Sequence, residues 1–292
     1  MIECYDVGGT WTRAAVFDED GTIIKKEKRS STNDIEFLVR DLHSRLNVKA
    51  EKISIAVPGP VKNDILLSAP PLNIETKVNL KAILKDLGKI YVHNDLKAAT
   101  EAELEYGIGT HCNNFYLLTL STGIGAGVVI NRNQIKDASC EFGHNVVERS
   151  HNLAFKCGCG NYGCWSSLTS GKGIENLAAY FLGEKISAKD VFELAEKGDS
   201  KCEDILAKVR SYNAQGLGMM VNTFDVEKII VMGSLGLEQF DKIIPSEAEI
   251  RKFAVNPIPT IHPTKLGDDI CLLGSYLLAK KNDTKLLFKK QN

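Results

Sequence analysis

Two stretches of this chain repeat one pattern, an apolar strand that enters a glycine-rich turn and leaves it as another strand. The first copy runs Ile2 to Val7 and Arg13 to Phe17 around DVGGTWTR; the second runs Asn114 to Leu120 and Gly127 to Ile130 around LSTGIGAGVV. A recurrence on this scale constrains the fold more than any local motif, because each copy founds a hairpin at the head of its own α/β half. Between them, Ile35, Leu38, Val39, Leu42 and Leu46 keep helical spacing, Ile53 to Val57 reads as a buried strand, and Lys89 to His93 as another before the helical LKAATEAELEYG. After the second copy come helices around Gly173 to Phe181, Lys189 to Glu196 and Cys202 to Thr223, a strand Lys228 to Met232, and a last helix after Gly274. A chain of 292 residues exceeds the usual single domain, so two lobes are expected. No linker marks the boundary, which rests on the repeat and falls between Gly107 and Asn113.

Composition removes several function classes. Hydrophobic content of 43% suits a packed core, and a net charge of -1 gives no pull toward nucleic acid or an anionic membrane. No apolar run has the length of a membrane helix, and MIECYDVGGT enters a strand pattern at once without a signal sequence. The expectation is a cytoplasmic protein, in which clustered cysteines hold metal more often than disulfides.

Glycines in a hairpin turn leave backbone N–H groups bare, so Gly8 and Gly9 in the first turn and Gly123 and Gly125 in the second can cradle phosphate oxygens, with Thr10, Thr12 and Thr122 adding hydroxyls. Asp6, at the end of a buried strand, is suited to orient water around a magnesium ion. Either turn alone is equally an ordinary tight hairpin; two of them heading similar halves are harder to read so. The P-loop pattern and the protein-kinase signatures are absent, and Gly123, Gly125 and Gly127 follow GxGxG rather than the dinucleotide fingerprint.

Two further stretches carry chemistry. CEFGHNVVERSHNLAFKCGCGNYGC, from Cys140 to Cys164, gathers four of the eight cysteines and two of the six histidines in a polar, Gly-rich segment unlike a packed core. Cys4, Cys112, Cys202 and Cys271 have no partner pattern and read as buried thiols; Cys140 has no assigned role. In HND, Asp95 stands at a strand end where an open α/β sheet places catalytic groups, and where an Asp equally caps the next helix.

DVGGTWTR, AVPGPV, HNDLKAATEAE, LSTGIGAGVV, EFGH with CGCGNYGC, and VMGS, in this order over nearly the whole chain, resemble the ROK family of sugar kinases and sugar-responsive repressors. The resemblance implies an α/β actin-like ATPase (ribonuclease H-like) fold, two lobes around a central cleft that holds a sugar and MgATP. It implies phosphorylation of a hexose or N-acetylhexosamine, glucose or N-acetylmannosamine, at its 6-hydroxyl. The N-terminal lobe is expected over residues 1–110, joined by a C-terminal helix of about 274–292, and the C-terminal lobe over 111–273 with a zinc module at 140–165.

In residue terms the resemblance implies Asp95 as the base, and Gly59, Asn94, Asp95, Glu141 and His144 around the sugar. Adenine is expected near Gly233 and Ser234. A structural zinc is implied at His144, Cys157, Cys159 and Cys164, three thiolates and an imidazole closing a tetrahedral site without an open position. His151, nearer to Cys157 in sequence, competes with His144 for the fourth place; EFGH matches the family and favours His144. A homodimer is implied as well.

Three positions depart from the family pattern. Ser166 stands where a Glu contacts the sugar near C1 and C2, Pro71 where PNL carries its Asn, and Ser121 where the second turn carries a first Gly. The first two leave the sugar open, with Asn73 able to reach in for the missing Asn. Asp6 lies too near Met1 for a winged helix, so a repressor is not expected; the alternative is a catalytically inactive ROK-type sugar sensor, against which the retained Asp95 and both turns count.

Overall fold

A computed structural model of the chain describes residues 1–135 and 141–289, with side chains as far as residue 282. Cys140 lies outside the described residues. The chain divides into two compact units, Met1–Thr110 with Leu266–Asn292, and His111–Lys265.

The first unit runs β1 (Ile2–Val7), β2 (Trp11–Phe17), β3 (Ile23–Ser30), α1 (Ile35–Leu46), β4 (Lys52–Val57), the two-residue strands β5 (Val61–Lys62) and β6 (Ile65–Leu66), α2 (Leu80–Ile83), β7 (Lys89–Asn94) and α3 (Asp95–Tyr106). Its five-stranded sheet has the order β3-β2-β1-β4-β7, antiparallel on the hairpin side and parallel from β1 through β4 to β7. β1 is buried along its whole length because both faces are covered. Tyr5 and Val7 share one core with Leu38, Val39 and Leu42 of α1, while Cys4 shares another with Leu272 and Tyr276 of the C-terminal helix. Each such Leu contributes about 1.5–3 kcal/mol by its burial.

That C-terminal helix, Ile270–Lys289, starts ahead of Gly274, and a 3-10 turn, Gly267–Asp269, leads into it. Leu266 to Leu273 therefore go with the first unit, where the sequence reading put them in the second. The reason is burial of Leu272 in the core of Cys4 and Phe17, with Asp268 and Asp269 pairing with Arg13 of β2 and Lys26 of β3. Inside the helix, a Cβ on Gly274 would stand 1.7 Å from the carbonyl oxygen of Ala98 in α3, so only glycine permits this packing.

The second unit runs β8 (Phe115–Leu120), β9 (Ile124–Ile130), β10 (Asn133–Gln134), α4 (Trp165–Thr169), α5 (Gly171–Leu182), α6 (Ala188–Glu196), α7 (Ser200–Thr223), β11 (Lys228–Met232), α8 (Ser234–Glu238), α9 (Phe240–Ile243), α10 (Glu247–Arg251) and β12 (Thr260–Pro263). Its sheet order, β10-β9-β8-β11-β12, and its strand directions repeat those of the first. Trp165 is wholly buried; its indole donates to Asn213 Oδ1 at 2.7 Å, and Asn213 Nδ2 donates to the Ile243 carbonyl at 2.9 Å. This chain of bonds fixes α4 on the long helix α7.

Candidate functional site

In the first unit the β1–β2 turn is closed by Gly8 N–H donating to the Trp11 carbonyl at 3.0 Å, and Ser31 N–H donates to Thr10 at 2.9 Å. Thr10 is exposed, whereas Thr12 is buried with its hydroxyl 2.8 Å from Ser31 Oγ. Asp6, one ladder pair below the turn, is 8% exposed and has Arg13 as its cross-strand partner, Nη1 to Oδ2 3.4 Å. Burial, opposed in part by Arg13, leaves the Asp6 carboxyl raised to about 6.

Asn94 and Asp95 divide the roles at the head of α3. Asn94, not Asp95, is the cap: its Oδ1 accepts from Lys97 N–H at 3.0 Å, and its Nδ2 donates to the Gly59 carbonyl at 3.0 Å and to Asp95 Oδ1 at 3.1 Å. Asp95 Oδ1 also accepts from Leu96 N–H at 2.7 Å, so two donors fix the orientation of the carboxylate. Gly59 holds φ +138°, and a Cβ there would stand 2.1 Å from the Ser68 carbonyl oxygen. The 3-10 turn Pro70–Leu72 follows and lies beside the β1–β2 turn, with Pro71 against Gly9. Asn73, exposed at φ 56°, ends the 3-10 turn. Gly59, Asn94 and Asp95 are thus linked by hydrogen bonds, and the segment that packs on Gly59 at Ser68 and Ala69 continues to Pro71 beside Gly9.

Sequence reasoning passed over His93, one residue before this pair. It is 6% exposed, its Nε2 has no hydrogen-bond partner among the described residues, and its ring stacks on Tyr91. Burial first, then the Lys97 charge, lower it from 6.5 to about 4, with Asp64 opposing, so the imidazole is neutral at physiological pH. Its signal in sequence was a polar residue on the inward face of a buried strand.

In the second unit the β8–β9 turn is Ser121–Gly123, closed by Ser121 N–H donating to the Gly123 carbonyl at 3.0 Å. Gly125 lies within β9, opposite Thr119, because the strand starts at Ile124 rather than at Gly127 as the sequence reading had it. Ser166, on α4, faces Gly123. Gly233 at φ 90° leads into α8, and Ser234 Oγ lies 3.4 Å from Ser121 Oγ, so the adenine candidates stand beside this turn.

His144, Cys157, Cys159 and Cys164 converge, with all four donor atoms within 4.8 Å of one another; His151 is exposed and outside the group. Cys159 and Cys164 Sγ are 3.7 Å apart, and Cys157 Sγ lies 3.4 Å from His144 Nδ1. Tetrahedral zinc with sulfur at about 2.3 Å spaces its sulfurs by about 3.8 Å, so donor set and spacing both fit that ion. His144 Nε2 lies 3.7 Å from Glu141 Oε2, a carboxylate placed to orient the imidazole. Phe142 meets Tyr116 of β8 edge to face at 5.5 Å, and Trp165 N–H donates to the Asn145 carbonyl at 2.8 Å. The cysteine-rich segment is thereby anchored to the sheet and to α4.

The ROK family model matches residues 2–282. The chain belongs to the ROK family. This ROK protein is 30% identical over 241 residues to an N-acetylmannosamine kinase of Escherichia coli O6:H1, covering 80% of the chain and 82% of the relative. It is 27% identical over 282 residues to a glucokinase of Pyrobaculum calidifontis, covering 94% of each. A ROK family glucokinase from Streptomyces griseus, crystallised with glucose and AMPPNP, matches with a TM-score of 0.78 and 25% identity over 96% of the chain and 99% of that structure. The fold is the α/β fold of actin-like ATPases, as the duplicated sheets indicate. Among the described residues no helix is long and apolar enough to cross a membrane.

Proposed function

We propose that this ROK protein is an ATP-dependent sugar kinase that transfers the γ-phosphate of ATP to the 6-hydroxyl of a hexose or N-acetylhexosamine, with glucose and N-acetylmannosamine the leading acceptors. The observation that carries the reading is the division of labour at the head of α3: Asn94 takes over the cap, and Asp95, oriented by two donors, serves as the base. Phosphoryl transfer needs the attacking hydroxyl held in line and a carboxylate to take its proton as the bond to phosphorus forms. Gly59 and Asn94 set the position of Asp95, and Glu141 and His144 are the further residues that the family resemblance gives to the sugar. Backbone N–H groups of Gly9, Thr10, Thr122 and Gly123 bind phosphate oxygens in this reading, while the Gly8 N–H is spent on closing the first turn and Thr12 braces it. Magnesium bound with ATP neutralises phosphate charge, and one buried carboxylate, Asp6, suits an ion that keeps most of its waters.

Zinc at His144, Cys157, Cys159 and Cys164 is structural in this reading, since four protein donors leave no position for substrate. Ser166, shorter than a carboxylate and uncharged, leaves the choice between the two sugars to experiment. A cytoplasmic homodimer is the proposed form, supported by the family resemblance.

The test is ADP release with MgATP and a panel of glucose, mannose, glucosamine, N-acetylglucosamine and N-acetylmannosamine, with Asp95→Asn run in parallel. Activity on one or two sugars that falls about 10²- to 10⁴-fold in a folded Asp95→Asn protein is expected. Silence on every sugar from folded, zinc-loaded protein would refute the reading and favour the inactive sensor.

A further inference from the structure

Arg13 is shared between two carboxylates of very different exposure. Its Nη2 donates to Asp268 Oδ2 at 2.8 Å, while its Nη1 reaches Asp6 Oδ2 only at 3.4 Å. The Asp268 side chain is 77% exposed and that of Asp6 only 11%. Desolvation favours the opposite arrangement, since a buried carboxylate with little water around it gains more from a guanidinium than an exposed one does. The short bond therefore reflects where the C-terminal segment holds Asp268. That segment is pinned on both sides: Asp269 pairs with Lys26 at 2.7 Å, and the buried Cys271 thiol donates to the Asp95 carbonyl at 3.8 Å.

We infer that Asp268 is a positioning residue which, by drawing Arg13 away from Asp6, sets how readily magnesium–nucleotide engages the Asp6 carboxylate. The inference rests on the reading of Asp6 as the carboxylate that orients magnesium's water. A guanidinium and a hydrated magnesium ion compete for the same negative charge. A planar guanidinium with five donors can serve two carboxylates at once, so the outer one regulates the inner one. Without Asp268, Arg13 closes on Asp6 and the metal meets a tighter competitor. Without Arg13, the state of Asp268 no longer reaches Asp6.

The experiment is a double-mutant cycle on the full chain with Asp268→Asn, Arg13→Gln and the pair. Two quantities are measured against magnesium concentration: ADP binding by calorimetry, which requires no turnover, and ADP release with the best sugar. The expected result is that Asp268→Asn raises the half-saturating magnesium concentration about threefold or more in both measurements, with a smaller change in maximal rate, and has no effect in the Arg13→Gln background. An unchanged magnesium requirement in Asp268→Asn, or an equal rise in both backgrounds, overturns the inference. Wild-type protein whose ADP binding ignores magnesium refutes the role of Asp6 itself, and so separates failure of the functional reading from failure of this one.

Discussion

Replacing His93 by Phe separates the acid sensitivity of the first unit from its packing. The imidazole is buried beside Asn94 and Asp95 with an unpartnered Nε2, and burial with the Lys97 charge holds it near 4 in the folded chain. In the unfolded chain it titrates at about 6.5. Between those values the unfolded state binds more protons, so folding loses stability as pH falls through the window and loses no more below it. Worked from this displacement, the loss is about 2 kcal/mol at pH 5 and about 3 kcal/mol at pH 4. Asp6, raised to about 6, acts in the opposite sense, gaining stability as pH falls from about 6 toward 3.8. Comparing His93→Phe with wild type at each pH cancels that contribution. The ring of Phe fits the stack on Tyr91 and removes an unsatisfied polar atom, so the variant is expected to be at least as stable at pH 7.5. Urea unfolding at pH 7.5, 5 and 4.2 should show its advantage growing as pH falls. Parallel pH curves for the two proteins, or a His93 resonance titrating near 6.5 in the folded state, would refute the reasoning.

Metal analysis of purified protein is expected to find about one zinc per chain, lost in Cys157→Ser and retained in His151→Ala; strong chelation should lower the melting temperature of the wild type. Gly274→Val places a side chain on the Ala98 carbonyl and should destabilise the first unit by about 1–3 kcal/mol or more, read as a lower urea midpoint.

What could be read in the sequence was whatever had a local cause. The helical spacing of Ile35 to Leu46 gave α1 because every apolar position of that pattern is buried on the sheet. The cysteine spacing gave a cluster because a short, Gly-rich loop has few ways to bring three thiols together, and it is His144 of EFGH, not the nearer His151, that stands beside them. β3 escaped notice because IIKKEKRS carries no alternation of apolar residues; it is an edge strand whose lysines are spent on other elements, Lys25 on the last carbonyls of α1 and Lys26 on Asp269. Which of Asn94 and Asp95 caps α3 was equally hidden, because both types cap well and the choice turns on Gly59, far back in the chain.

The repeat that most constrains the fold also hides how differently its two copies are built. In the first hairpin the pair just inside the closing pair is Asp6 with Arg13; in the second, the same place holds Thr119 with Gly125. Topology and strand direction are alike, but only the first copy sets a charged pair beneath its turn. A buried carboxylate must be balanced, and the Arg13 that balances it is shared with Asp268, from a segment that arrives at the far end of the chain. The second copy, neutral at this place, needs no such counterweight and gives one ladder position over to bare glycine. The duplicated architecture thus supplies two glycine-bearing hairpin turns, while the proposed magnesium carboxylate and the proposed base both belong to the first unit, where Asp6, Arg13, Asp95 and the head of the C-terminal helix are tied together.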